Sequence, residues 1–160
     1  MFLVDENDKI LRTKAEDFDF SNPLPNLQNV ISEMKEVMLV NKGIGLAPQQ
    51  VGINARFFIM GYEEYSFVCI NPIILSYSNE KILENEGCLS FPNLWLSIPR
   101  SEYIDVQYFD LDGNLNSRRL HKIVARCFEH ELEHIDGVTF TTKVSKLKLD
   151  MALKRRTKRE

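Results

Sequence analysis

The segment 130–134, with the sequence HELEH, carries the clearest chemical pattern in the chain, because it matches H-E-x-x-H. Residues four apart lie one turn apart on the same face of a helix, so His130 and His134 can bind one cation. Glu131 overhangs that cation, in a position that suits a general base rather than a ligand. The chain has 3 histidines. Two of them fall in this motif, which favours a metal site over incidental histidines on a solvated acidic helix.

Cys88 is the best candidate for a third metal ligand. Two histidines leave a tetrahedral site one protein ligand short, and a carboxylate, a histidine or a thiolate usually completes it. Cys88 lies in the EGCLS segment at 86–90, whose glycine permits close approach of the backbone. A turn of small residues around a buried cysteine is the alternative interpretation. Cys69 lies in an apolar run and is predicted to be core, whereas Cys127, one helical turn before His130, is predicted to line the pocket beside the metal.

A Cys–His–His ligand set that leaves one position for water is typical of a catalytic site rather than a structural one. The metal would activate the water, and Glu131 could take its proton and later deliver it to a leaving amine. This chemistry is the hydrolysis of an amide or an ester. By geometry alone the expected metal is zinc.

A glycine-bounded loop at 43–52, with the sequence GIGLAPQQVG, precedes these motifs. Its simplest interpretation is a helix C-cap followed by a turn. In a functional interpretation, the glycines let the backbone run along a peptide substrate, and Gln50 offers an amide donor to a developing oxyanion.

Hydrophobic periodicity predicts the elements that must position these residues. An apolar stripe from Leu27 to Met38 predicts a first helix, which Asn41 and Gly43 stop. A second helix is predicted from about Leu120 to Ile135, and a third, basic helix from Ser145. Strands are predicted at 56–60, at 66–75 with Pro72 weakening its middle, and at 103–109 before the turn dipeptide Asp112-Gly113. These elements predict an α+β fold, with antiparallel sheets around a central helix that bears H-E-x-x-H.

The length of the chain predicts one domain spanning residues 1–160. Hydrophobic residues make up 44% of the chain and charged residues 27%, as in ordinary globular domains. The net charge of −3 conceals a basic C-terminal tail at 143–160, which has eight Lys or Arg residues and two acidic residues. The opening MFLVDENDKI is unlike a targeting segment, and there is no long apolar run, so no membrane is expected as a partner and the expected location is the cytoplasm. An organelle or a viral host cell remains an alternative location.

Taken in order, GIGLAPQQVG, EGCLS and HELEH resemble the three signature motifs of the peptide deformylase family. The resemblance extends over roughly residues 5–145. It implies an enzyme that removes the formyl group from the N-terminal formylmethionine of nascent polypeptides. It also implies one divalent metal ion, with Fe²⁺ as the expected native ion and Zn²⁺, Ni²⁺ or Co²⁺ also fitting. The family usually has Ala at Pro48, Gln at Glu129 and Asp at Glu133, so this chain departs from the pattern at these positions.

The resemblance also implies a role for each site residue. The metal ligands would be Cys88, His130 and His134, and Glu131 would be the general acid and base. The formyl oxygen would be polarised by Gln50 and the backbone amide of Leu89. Substrate would be bound by Ile44, Gly45, Leu46, Arg100 and Cys127.

Two other functions are compatible with parts of the sequence. H-E-x-x-H also occurs in zinc peptidases that cut internal bonds, but these normally take a further ligand downstream, and no histidine follows His134. A non-catalytic RNA-binding protein is suggested only by the basic tail. Within the deformylase interpretation, the same tail would carry the enzyme to the ribosome, with a solvated tail of no function as the alternative.

Overall fold

The computed structural model describes residues 1–61 and 66–156. The helices are α1 (Leu27–Val40), α2 (Lys122–Ile135) and α3 (Lys146–Arg156). The strands are β1 (Gly45–Leu46), β2 (Phe57–Met60), β3 (Phe67–Tyr77), β4 (Lys81–Cys88), β5 (Phe91–Ser101), β6 (Tyr103–Phe109) and β7 (Leu115–His121). Short 3-10 helices cover Lys9–Arg12, Pro48–Val51 and Phe140–Lys143.

The strands form two antiparallel sheets. One has the order β1-β2-β3-β6-β7, and the other is the hairpin of β4 and β5. α2 contacts strands of both sheets. The predicted α+β class, with the H-E-x-x-H helix at its centre, is therefore confirmed. None of the helices within residues 1–61 and 66–156 is both long and apolar enough to cross a lipid bilayer.

Apolar packing fixes α2 against the larger sheet. Phe128 of α2 meets Phe58 of β2 edge to face, with the ring centroids 5.0 Å apart, and both side chains are fully buried. Burial of one such side chain stabilises the fold by about 1.5–3 kcal/mol. Ala125 and Ile135 of the same helix are also fully buried. The helix that bears the candidate metal ligands is thus a rigid support.

Part of the basic tail belongs to the folded domain. β5 contributes buried apolar residues that pack with Phe140, and Val144, Leu149 and Ala152 pack against this cluster. α3 begins at Lys146, directly after the Ser145 predicted as its start. Deletion of residues 143–160 would therefore remove apolar contacts from the core as well as charges. The last four residues, 157–160, lie outside the described part of the chain.

β3 continues through Pro72, although this proline disfavours strand pairing in the middle of the strand predicted at 66–75. The register between β3 and β6 shifts between Ile70 and Ile73, and Asn71 takes a left-handed conformation with φ of 48°. Such a bulge lets a strand continue past a residue that cannot donate to the ladder. The predicted strands at 56–60 and 103–109 correspond to β2 and β6.

Four strands lie where no strand is predicted from the sequence, and the shortest of them, β1, has two residues within the predicted loop at 43–52. β4 and β7 are mostly exposed and rich in polar residues, so they lack an apolar signal. β5 does alternate, with inward residues Leu94, Leu96, Ile98 and Arg100. Leu120, predicted to start the second helix, belongs to β7, and α2 begins two residues later at Lys122.

Candidate active site

α2 places the functional side chains of H-E-x-x-H in the protein interior. His130, Glu131 and His134 are 7%, 4% and 1% exposed. The two imidazole ring centroids lie 4.9 Å apart. The helix ends one residue after His134, and Gly137 beyond it has φ of +74°, where an added Cβ would lie 2.9 Å from the backbone of Arg12. Glycine is thus required at the position that ends the ligand-bearing helix.

The β4–β5 hairpin brings Cys88 to these histidines. Cys88 is the last residue of β4, and the register shifts between Gly87 and Cys88. Such an irregularity re-aims a side chain at the end of a strand. The Sγ atom of Cys88 lies 3.2 Å from Nε2 of His134.

The ligand atoms of Cys88, His130 and His134 all lie within 4.8 Å of one another. In a tetrahedral site with the usual bond lengths, sulfur and nitrogen ligands are about 3.6 Å apart. The structure thus brings the three predicted metal ligands close enough together to bind one divalent cation.

Glu86 is a central residue of the site to which the sequence analysis assigns no role. Its Oε1 atom lies 2.6 Å from Nδ1 of His130, so the Nε2 atom of that ring is left for a metal. Arg100 donates to the same carboxylate at 2.7 and 3.0 Å, and Arg126 donates at 2.9 Å. Burial disfavours the charged form of Glu86, but hydrogen bonds from His130 and Arg100 outweigh it and hold its pKa below the usual range. Glu86 is therefore an ionised support for the first histidine.

Arg100 lies behind the metal ligands rather than beside the substrate, where it was predicted. It is 2% exposed, because it continues the inward alternation of β5. Besides Glu86, it contacts Glu133, with N–O distances of 2.6 and 2.9 Å. Its side chain is therefore committed to two carboxylates and is absent from the lining of the substrate cleft described below.

Glu129 and Glu133, the two residues of α2 that differ from the usual family pattern, both have interaction partners. Glu133 forms ion pairs with Arg100 and with Lys143, whose Nζ atom lies 2.8 Å from the Glu133 carboxylate. Glu129 accepts a hydrogen bond of 3.0 Å from the backbone N–H of Ser101. These carboxylates tie α2 to β5 and to the segment before α3, so their added charge is used within the fold.

Glu131 lies close to Gly45 of β1. A Cβ built on Gly45 would be 2.5 Å from Oε1 of Glu131 and 2.7 Å from Sγ of Cys127. Oε2 of Glu131 is buried and has no hydrogen-bond partner among the described residues. Burial raises the pKa of Glu131 to about 7. A carboxyl group with a pKa near neutrality can both accept and return a proton.

The loop after β1 directs the amide of Gln50 towards the same centre. Its Oε1 accepts a hydrogen bond of 2.8 Å from the backbone N–H of Ala47, and its Nε2 donates to Oγ of Ser90 at 3.1 Å. The same Nε2 lies 3.7 Å from Sγ of Cys88. Pro48 occupies the first turn of the 3-10 helix, where its missing N–H is not needed. This departure therefore leaves Gln50 in position.

A cleft of about 630 Å³ opens beside these groups. The predicted site residues that line it are Ile44, Gly45, Gln50, Cys88, Leu89, Cys127, His130 and Glu131. β1 borders the cleft and pairs only with β2 among the described strands, so its other edge is open to an added strand. Leu46, also predicted to bind substrate, is fully buried, packs in the core with α1 and is absent from the lining of the cleft.

We expect Gly45→Ala to lower kcat by about a hundredfold, because the new Cβ would displace the Glu131 carboxylate, and a shift of about 1 Å in a reacting group has an effect of that size. Metal content should remain that of the wild type, since neither displaced group is among the three metal ligands. Steady-state kinetics and metal analysis on the same sample check this. Wild-type kcat in the alanine variant would show that the close approach does not matter.

Comparison with known proteins agrees with this geometry. The sequence profile of the polypeptide deformylase family matches residues 2–150. The peptide deformylase of Finegoldia magna is 40% identical over 144 residues, which cover 89% of this chain and 88% of that protein. The peptide deformylase of the Wolbachia of Brugia malayi is 35% identical, with 94% and 90% covered.

Solved structures show the same likeness. The peptide deformylase of Synechococcus elongatus in complex with actinonin superposes with a TM-score of 0.89 at 33% identity, over 97% of this chain and 85% of that one. The enzyme of Thermotoga maritima superposes with a TM-score of 0.83 at 36% identity, over 89% and 96%. On the profile match, the identities and the shared fold, this chain belongs to the polypeptide deformylase family.

Proposed function

We infer that this chain hydrolyses the formyl amide at the N-terminus of newly made polypeptides, releasing formate and a free α-amine. The observation that carries this function is the group of Cys88, His130 and His134 with Glu131 and Gln50 at one end of a cleft. The open edge of β1 borders that cleft and suits an extended peptide. Membership in the deformylase family supports the choice of a formyl amide as the bond that is broken.

The three ligands fit one divalent cation, which would supply Lewis acidity and a water molecule activated near neutral pH. One thiolate and two imidazoles suit Fe(II), Zn(II), Ni(II) and Co(II). We take Fe(II) as the native ion, in accordance with the family resemblance. Metal analysis of protein purified without oxygen distinguishes these ions.

Glu131 moves the proton in this mechanism. Its carboxylate accepts a proton from the attacking water, while the water oxygen bonds to the formyl carbon. The same carboxyl group then gives the proton to the α-nitrogen as the carbon–nitrogen bond breaks. Formate leaves with both oxygen atoms, and the peptide leaves as an amine. The pKa of about 7 that burial confers on Glu131 suits both transfers.

Gln50 and the backbone N–H of Leu89 stabilise the charge that develops on the formyl oxygen. The Gln50 amide is oriented by hydrogen bonds with Ala47 and Ser90, which hold its Nε2 atom beside Cys88. Ile44 and Cys127 form the wall of the methionine pocket, and the Cys127 thiol donates to the Ile44 carbonyl at 3.4 Å. This hydrogen bond ties the residue before β1 to α2 beside the substrate.

Arg100 acts in this account as a positioning residue. It holds Glu86, and Glu86 in turn holds the ring of His130. Hydrogen bonds of this kind fix the orientation of a ligating imidazole and support metal affinity. This role replaces the predicted contact between Arg100 and the substrate chain.

A panel of three peptides tests the function. N-formyl, N-acetyl and unblocked forms of one Met-Ala-Ser peptide are incubated with the metal-loaded enzyme. We expect formate and a free amine from the formyl peptide, and no cleavage of internal bonds in any of the three. Cleavage of internal bonds would favour the zinc peptidase interpretation, and no reaction with any peptide would favour a non-catalytic protein.

We also propose that the basic tail guides the enzyme to ribosomes in the cytoplasm, where its substrates emerge. Eight cations lie in residues 143–160 of an otherwise acidic chain, and phosphate contacts give salt-dependent affinity for RNA. Because Val144, Leu149 and Ala152 support the core, truncation is a poor test. Charge reversal of Lys146, Lys158 and Arg159 alters the charge of the tail and keeps Val144, Leu149 and Ala152 unchanged in the sequence.

The charge-reversed protein should process small formyl peptides at the wild-type rate but should cosediment less with ribosomes. Binding of the wild type should weaken by roughly 0.7–0.9 log units per log unit of salt for each phosphate contact. Equal cosedimentation of both proteins, or no effect of salt, would contradict ribosome binding by the tail.

A further inference from the structure

A second groove, of about 610 Å³, lies between the β4–β5 hairpin and α3. Lys148, Met151, Ala152 and Arg155 of α3 line one wall. These residues recur at steps of three and four, so they lie on one face of the helix. The opposite wall includes Asn85, Asn93 and Trp95 of the hairpin. None of these seven residues has a role in the proposed catalytic mechanism.

The groove continues from the substrate cleft. Asn85, Asn93 and Trp95 line both spaces. Trp95 is directly opposite Gly87 in the β4–β5 ladder, and a Cβ on Gly87 would be 3.2 Å from the indole ring. Gly87 directly precedes the metal ligand Cys88. The indole of Trp95, which packs against Gly87, therefore lies close to the metal centre. A peptide that leaves the cleft along this hairpin reaches Trp95 first and the groove next.

Positive charge lines the groove. None of the described residues that border it is acidic, whereas Lys148, Arg155 and Arg156 all contribute to the lining. Arg156 forms an ion pair with Glu6 at 2.8 Å. Lys148 and Arg155 are exposed and form no ion pair with any residue in the described ranges. Two cations therefore face a space that a ligand can enter.

We propose that this groove extends the substrate cleft and binds an acidic side chain of the nascent chain, a few residues beyond the formylmethionine. This inference rests on the proposed deformylase function. The exposed face of Trp95 contacts the peptide at the junction, and Lys148 and Arg155 attract the carboxylate. The continuity of the groove with the cleft favours a peptide over single-stranded RNA, which a tryptophan beside cations could also bind.

Strand geometry gives the distance between the groove and the metal centre, and a scan of the peptide then locates the acidic residue. Asn85, which lines the groove, lies two residues before Gly87, a span of about 7 Å along a strand. The test uses pairs of formyl-Met peptides. The two members of a pair differ only in having Asp or Lys at one position, and the pairs cover positions from about the third to about the seventh residue. At one or two of these positions we expect kcat/KM to be about tenfold higher for Asp than for Lys, since each exposed ion pair contributes up to about fivefold.

The difference should appear in KM rather than kcat, because a distant ion pair stabilises the bound substrate and the transition state equally. Lys148→Glu combined with Arg155→Glu should reverse the preference, whereas the neutral pair Lys148→Gln and Arg155→Gln should abolish it. Lys146→Glu is the matched control, because Lys146 is an exposed cation of the same helix that does not line the groove. This control should keep the preference of the wild type.

Trp95 provides a readout that is independent of turnover. It is the only tryptophan in the chain and is 60% exposed, so a ligand that covers it should shift its emission to shorter wavelength. Deformylated product peptides with Asp at the preferred position should cause this shift at lower concentration than their Lys counterparts. The double charge-reversal variant should lose the difference.

The outcomes separate this inference from the proposed function. Turnover of neutral formyl-Met peptides without any Asp-over-Lys preference would overturn the acidic subsite and leave the deformylase intact. No turnover of any formyl peptide would instead overturn the proposed function and this inference with it. If an oligonucleotide, but no peptide, shifts the Trp95 emission in a way that Lys148 and Arg155 control, the groove is an RNA surface and the inference is wrong.

Discussion

Glu131→Gln should lower kcat/KM for formyl-Met peptides by about two to four orders of magnitude, with fold and metal content unchanged. Glutamine has nearly the same shape but cannot take a proton from water or return one to the amine. Glu131 is 4% exposed and faces Gly45 across a close contact, so no other carboxylate can easily take its place. The measurement is steady-state kinetics on samples whose metal content has been determined.

Glu84→Gln is a suitable control, because Glu84 lies on β4, is 56% exposed and is not among the residues that line the cleft. It should behave as the wild type. If Glu131→Gln turned over formyl-Met peptides within about tenfold of the wild type, the proton would have to move through another group, and the assigned mechanism would be wrong.

The second large effect is expected from Cys88→Ala, which should lose most of its bound metal and, with it, most of its activity. Alanine removes the only thiolate from a set of three ligands, and the two histidines alone are a poor site. Cys69→Ala is the matched control. Cys69 is fully buried in β3 and packs in the core with Phe58, so this change should cost only about 1–2 kcal/mol of stability.

Metal analysis after extensive dialysis separates the two cysteine variants. Cys69→Ala should keep the wild-type metal content and melt at a lower temperature. Unchanged metal content in Cys88→Ala would remove the thiolate from the ligand set, and would revive the interpretation of EGCLS as a structural turn.

The parts of the site that depend on local sequence were predictable. His130, Glu131 and His134 are set by helical periodicity, so their common face follows from their spacing. Cys88 was identified because two histidines leave a tetrahedral site one ligand short, and Gln50 because a hydrolytic site needs a donor for the developing oxyanion. In the structure, the three candidate ligands lie within 4.8 Å of one another, Gln50 lies near Cys88, and Glu131 lines the same cleft.

The residues that position these groups could not be predicted in the same way. Glu86 contacts His130 across 44 residues of sequence, through a strand whose polar residues gave no apolar signal. One hint existed, since Glu86 and Cys88 are two residues apart and a strand would place them on one face. Arg100 was assigned to the substrate only by the resemblance to the deformylase family, and its burial was not foreseen. Only the pairing of β4 with β5 reveals the carboxylates that make its burial possible.

The basic tail shows a different limit of sequence reasoning. Its charge suggested a solvated segment, yet Leu149 and Ala152 pack against the core, while Lys148 and Arg155 line a groove. A count of charges cannot distinguish the face of α3 that packs against the core from the face that lines the groove. The two faces are defined only by the packing of α3 against β5.

The most direct test of the proposed function is the stoichiometry of product release from a formyl-Met peptide by anaerobically purified protein. Formate and new free amino termini are measured in the same reaction, with the N-acetyl peptide alongside. The structure and the family predict one formate for each new amine and no product from the acetyl peptide. New amino termini without formate, or equal reaction of the acetyl and formyl peptides, would contradict deformylation as the function of this site.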